Sequence, residues 1–210
     1  MAIPILKESV YLRVEILVKN YLINLKRLFM KKDNEKKKLN PQRRGAEFQN
    51  IIRDSLVYYE SIGKIIPNFW DRPQKHISSN KKLISDFWCF PICSSKICLI
   101  EAKVINSRTA FPFSRIEDHQ LLNLKNCEKY KAGFGWLIVH FKYGKEDYGV
   151  FAVQGYWLWC DIKNNKVSYS LSDLKEWSTY KTRPGFVKLP FKKVMFGDKE
   201  VKILELERIF

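Results

Sequence analysis

The chain has 210 residues, 46% of them hydrophobic, and carries 38 Lys and Arg against 22 Asp and Glu, a formal net charge of +16. That length buries enough apolar surface for one domain plus an appendage without disulfides, and that hydrophobic content excludes a disordered chain. The charge excludes an acidic mimic of nucleic acid and points to a polyanionic partner, nucleic acid first and an anionic membrane surface second.

Residues 10–30 are rich in apolar side chains, but Arg13, Glu15, Lys19, Lys26 and Arg27 interrupt them. No stretch reaches the roughly 20 apolar residues that span a bilayer, and no signal-peptide layout is present. No stable membrane association is expected. Leu12, Ile16, Leu22 and Ile23 fall near helical spacing, which predicts an amphipathic helix packed on the core, on a second subunit or on a membrane surface. The run KKDNEKKKLNPQRR (31–44) follows as a solvated linker or an arm along phosphates. Residues 1–44 hold 12 basic and 4 acidic side chains, half of the excess charge, and read as a basic N-terminal extension. Residues 45–210 read as the packed domain.

In that domain Phe48, Ile51, Ile52, Leu56 and Tyr59 recur at three- and four-residue steps and predict a helix from Gly45 to just before Gly63. A short strand over 64–69 and a polar connection over 71–82 come next. Two β-rich runs, 87–93 and 97–104, flank a turn at Ser94-Ser95-Lys96. After the loop with Phe111-Pro112-Phe113, a second helix is predicted over 114–130. Ser114 is its cap, Glu117 lies three positions later, and Leu121, Leu122 and Leu124 form its apolar side. GWLIVHF and YGVFAVQ read as strands around Gly144 and Lys145. The remainder holds Ser172 as a helix cap, the loop TRPGF and a charged C-terminal stretch. This order indicates an α+β fold, one sheet with helices packed against it. The five cysteines (Cys89, Cys93, Cys98, Cys127, Cys160) form no CxxC pair and the three histidines are scattered, which argues against zinc and for reduced thiols in a cytoplasmic protein.

The segment ICLIEAK carries the chemistry. On a strand Glu101 and Lys103 share a face, and a carboxylate and an amine among apolar neighbours are costly unless paired or used. With the turn at Ser94-Ser95, Asp86 falls opposite Lys103 or Val104, at the same end of the hairpin as Glu101. Asp86, Glu101 and the Ala102 carbonyl then make a set of hard oxygen donors suited to magnesium, with Lys103 beside it to orient water and offset charge on a phosphate. The same residues also fit an ordinary Glu–Lys pair on an amphipathic strand. Glu47 reads equally as a third acid at the site or as a favourable first-turn charge. Gln120 sits on the second helix, and Arg43, Arg44, Arg108 and Arg115 are candidates for phosphate contacts.

These residues together resemble the core of RecU-type Holliday junction resolvases, in the PD-(D/E)xK nuclease superfamily. The resemblance rests on Ser85-Asp86, the EAK triplet of Glu101 to Lys103, FPF at Phe111 to Phe113, DHQ at Asp118 to Gln120, the opening RGAEFQ and the tail TRPGFVKLPF. It implies a restriction-endonuclease-like fold, with a mixed central sheet flanked by helices, over residues 45–210. It also implies a homodimeric, magnesium-dependent endonuclease (manganese being a possible substitute) that nicks four-way DNA junctions symmetrically, leaving 5′-phosphate ends, in recombination and repair. Carried over by residue, Asp86 and Glu101 become metal ligands, Lys103 the catalytic lysine, Glu47 an accessory acid and Gln120 an active-site support. The 71–82 connection stands where the family carries a longer stalk. Two other readings accompany this one: a less selective phage- or restriction-type DNA nuclease, and a non-catalytic basic DNA-binding protein.

Overall fold

The computed structural model of the chain describes residues 41–71, 85–94, 96–129 and 131–210. The expected N-terminal helix, the lysine-rich linker as far as residue 40, and the connection beyond residue 71 lie outside them. The described residues belong to a unit running from Asn40 to Phe210.

The periodic apolar residues of the first helix form α1 (Pro41–Ser61), in which Phe48, Ile52, Leu56 and Tyr59 are all buried. The helix opens at Pro41, ahead of the expected start at Gly45. A proline fits a first helical turn because the N–H it lacks has no helical acceptor there. Arg43 and Arg44 therefore belong to helix and not to the linker. Gly63, at φ +70°, turns the chain out of α1. Strand β1 (Ile65–Asp71) follows, then the hairpin of β2 (Phe87–Pro91) and β3 (Ile97–Ile105).

The hairpin register differs from the expected one. Phe87 lies across from Ile100, Trp88 from Leu99 and Cys89 from Cys98, so the next step sets Asp86 across from Glu101 and not from Lys103 or Val104. Pro91 ends β2 early because it has no N–H for a further ladder bond, and this moves the turn back toward Ile92 and Cys93.

A short strand β4 (Ala110–Pro112) and a 3-10 turn (Phe113–Arg115) lead to α2 (Asp118–Lys129). The expected cap at Ser114 is not used: Ile116 is extended and separates the turn from the helix. Glu117 takes the cap position, its carbonyl accepting from the N–H groups of Gln120 and Leu121. Strands β5 (Gly133–Tyr143) and β6 (Glu146–Gln154) match the two strands expected around Gly144. The rest of the chain is richer than its sequence suggested. It forms α3 (Gly155–Lys163), β7 (Ser168–Ser170), α4 (Leu171–Tyr180), β8 (Phe186–Leu189), the hairpin of β9 (Phe191–Phe196) and β10 (Lys199–Leu204), and a final 3-10 turn (Leu206–Arg208). The cap of α4 is Ser170, whose hydroxyl accepts from the Asp173 N–H at 2.9 Å, and not the expected Ser172.

The strands form a six-stranded mixed sheet in the order β1-β2-β3-β5-β6-β8. β3 and β5 are parallel, joined through α2, and the other neighbours are antiparallel. Both faces are covered, which explains why the central strands read as nearly continuous apolar runs. On one face Ile100, Ala102 and Ile138 pack with α1 and with Ile203, Leu204 and Leu206 of the C-terminal segment. On the other, Leu99, Leu137 and Val139 pack with Leu124 of α2, Leu158 of α3 and Leu174 of α4. Burying each such side chain contributes roughly 1.5–3 kcal/mol.

Two local features position the site. The C-terminal hairpin is pinned to α1: the Ser55 hydroxyl accepts from the Leu204 N–H at 2.9 Å, and the Tyr59 hydroxyl donates to the Leu204 carbonyl at 3.2 Å. On the opposite face α2 lies so close to β5 that a Cβ at Gly135 would sit 2.2 Å from the Leu124 carbonyl oxygen. Gln120 is one turn before Leu124 on the same helix face, so this backbone-level contact fixes its distance from the sheet.

Candidate active site

The alternation of β3 sends Ile100 and Ala102 toward α1, and Leu99, Glu101 and Lys103 toward α2. Glu101 is 2% exposed. Its Oε1 is 2.9 Å from Lys103 Nζ and accepts from Gln120 Nε2 at 2.5 Å. Lys103 Nζ also donates to Gln120 Oε1 at 3.0 Å, so one amide bonds both members of the E-x-K pair. Gln120 is itself anchored: as the third residue of α2 its Oε1 accepts from the Glu117 N–H at 3.1 Å, the return half of a capping box. A helix-start device thus doubles as a clamp on the site.

Asp86 enters from the neighbouring strand. Its Oδ2 accepts from the Ala102 N–H at 2.9 Å, and its Oδ1 from Gln49 Nε2 of α1 at 3.1 Å. Burial first, and then the negative charge of Asp86, push the Glu101 carboxyl up to about 7, with Lys103 pulling the other way. Two carboxylates brought together with one lysine leave negative charge under-compensated in a water-poor place.

That arrangement fits a hard divalent cation. The donors are carboxylate oxygens, and a cation between them relieves the repulsion that raises Glu101. No group of three or more His, Cys, Asp or Glu side chains able to hold a metal occurs among the described residues. The carboxylates that could hold such an ion are Asp86 and Glu101, and a pair of that kind is compatible with an ion that keeps several waters and needs only one or two carboxylates.

The remaining sequence candidates lie around this centre. Glu47 is 3.5 Å from Arg43 on α1, and its side chain is 43% exposed. Positions two apart on a helix do not face the same way, so Gln49, and not Glu47, is the α1 residue that bonds to Asp86. Arg44 donates to the Asn106 side chain at 2.8 Å, at the end of β3. Arg108 lies 3.3 Å from Glu146 and over the Tyr143 ring. Arg115, exposed in the turn before α2, makes no ion pair among the described residues. Gln49 had no signal of its own in the sequence. A polar residue beside a buried phenylalanine is ordinary on an amphipathic helix, and only the observed register of Asp86 gives it a partner.

The family model described as RecU, recombination protein U, matches residues 43–194, well over half of the chain. The chain belongs to the RecU family. The match includes every residue of the cluster just described and ends within β9. The resemblance expected to continue to the C-terminus therefore stops short of β10. Members of the RecU family are Holliday junction resolvases, DNA-binding endonucleases of recombination, and nucleases of this kind are typically metal-dependent. The mixed sheet flanked by helices is consistent with a restriction-endonuclease-like fold. No curated protein matches the chain. All five cysteines are free thiols, and no helix among the described residues is long and apolar enough to cross a membrane.

Proposed function

We propose that the chain is a magnesium-dependent, homodimeric endonuclease that resolves four-way DNA junctions by paired symmetric nicks in recombination and repair, acting in the cytoplasm. Manganese is the expected substitute metal. The observation that carries the site assignment is the single amide of Gln120 bonded to both Glu101 and Lys103, beside Asp86 and inside the span matched by the RecU family.

Asp86 and Glu101 would hold the ion, which supplies Lewis-acid charge at the scissile phosphate. Lys103, held in place by Glu101 and Gln120, presents its ammonium to the negative charge that develops on the phosphoryl oxygens and orients the attacking water. Water gives up a proton to solvent as its oxygen bonds to phosphorus, the bond to the 3′ oxygen breaks and that oxygen takes up a proton to leave as the 3′ hydroxyl, and the 5′ end keeps the phosphate. Gln120 supports the pair without touching substrate, and Glu47, half exposed and paired with Arg43, stands outside the two-acid set. Arg43, Arg44, Arg108 and Arg115 contact the DNA backbone, and the basic extension that precedes α1 adds sequence-independent attraction for DNA to that of the nuclease domain. A four-way junction has two-fold symmetry, so symmetric nicking calls for two such centres and hence two protomers.

The test is cleavage of a synthetic four-way junction with and without magnesium. The parent cuts in a metal-dependent manner with paired nicks, whereas Glu101→Ala and Lys103→Ala bind the junction and do not cut it. Undiminished cutting by both variants would remove the assignment.

A further inference from the structure

We propose that Gln49 is a positioning residue, which orients the Asp86 carboxylate for the cation and limits the acids at the site to two; the inference rests on the metal-site reading above. Each Asp86 oxygen receives one N–H, Oδ2 from the Ala102 backbone and Oδ1 from Gln49. Two donors from separate elements fix the plane of the carboxylate, which one bond would leave free to turn. An ionised carboxylate only accepts, so its charge also sets which end of the amide faces it. Each oxygen keeps lone-pair capacity for a cation.

The arrangement on the other face of the sheet is parallel. Gln120, on α2, donates its amide N–H to Glu101 as Gln49, on α1, donates to Asp86. Each carboxylate is held by an amide from its own helix. Groups that hold metal ligands in this way, without touching the metal, commonly change metal affinity by tenfold or more when removed. At position 49 the amide matters for a second reason. It supplies an N–H at a place where a carboxylate of the same length would supply a third acid.

The test is direct titration of the full chain with Mn2+, followed by electron paramagnetic resonance, beside junction cleavage over a range of metal concentrations. Gln49→Met keeps the length of the side chain and removes the donor. It weakens Mn2+ binding about tenfold, and cleavage recovers as metal is raised. Gln49→Glu puts a third carboxylate at the same place and tightens Mn2+ binding relative to the parent. Shifts of opposite sign are what a residue aimed at the site produces, and a helix-packing role does not produce them. Binding unchanged in both variants, or weakened alike in both, overturns the proposal. Asp86→Asn separates the two levels. If it leaves Mn2+ binding intact, the metal-site reading itself falls; if it abolishes binding while the Gln49 variants do not shift it, only the role of Gln49 falls.

Discussion

Two buried carboxylates on the α2 side of the sheet are built from similar parts and end in different states. Asp161 of α3 accepts from the Tyr169 hydroxyl at 2.6 Å and from Arg183 at 2.5 Å, one donor on each oxygen. Arg183 is further held over the rings of Trp177 and Phe186. Glu101 likewise has a cation and a neutral donor, but it also faces Asp86 and sits near 7. The Asp161 cluster is complete as it stands and fastens the loop before β8 to α3. The Glu101 cluster holds two acids against one lysine. Pairing makes a staple in one case and, on the proposed metal-site reading, a receptor in the other, and the second acid makes the difference.

The largest effects should separate the two clusters by what is lost. Lys103→Ala is expected to slow single-turnover junction cleavage by about a hundred- to a thousandfold, with a smaller stability loss than Asp161→Ala because the Glu101 left behind can take up a proton. Asp161→Ala should do the reverse. It leaves an arginine and a tyrosine hydroxyl without their acceptor, at a cost of about 3–5 kcal/mol in denaturant unfolding, while the folded fraction cuts at the parental rate. Similar stability losses in the two variants would erase the distinction.

A smaller effect sharpens the contrast through pH. The Glu101 carboxyl is raised from 4.5 to about 7, so the folded state keeps a proton that the unfolded chain has already released. Stability from this group is therefore full below about pH 4.5 and is lost as pH rises through 7, on the order of 3 kcal/mol in metal-free protein. Thermal melts in chelator across that range should show the slope, and Glu101→Gln should flatten it. The smallest effect lies beside the staple. Ser170→Ala removes the cap of α4 next to Tyr169 and should cost about 1 kcal/mol in unfolding free energy, with no change in cleavage.

The elements that carry strong periodicity were legible in the sequence: α1 from its apolar spacing, β5 and β6 from their continuous runs, and the closeness of Asp86 to Glu101 from the hairpin. The register was not, because Pro91 shortens β2 in a way that the run of apolar residues hides. The start of α2 was misplaced because Ser114 and Glu117 have capping-box spacing, whereas the observed return bond comes from Gln120. Gln120 itself was reached only through the resemblance. Its bonds to Glu101 and Lys103 depend on helix-to-sheet distance, which is set by Gly135 and Leu124 and has no local signature. The hairpin of β9 and β10 was hidden for a similar reason. Its lysines dominate the composition, while its buried residues, Ile203 and Leu204, pair with a helix far away in sequence.

That distance has a consequence in time. Tyr59 and Leu204 are 145 residues apart, and at ~5–20 residues per second of synthesis α1 waits roughly 7–30 s for the strand that pins it. The hairpin with both carboxylates leaves the ribosome long before then. A nascent chain therefore holds both acids and the helix that aims one of them before it holds the strand that pins that helix, and the active centre is among the last parts of the molecule to set.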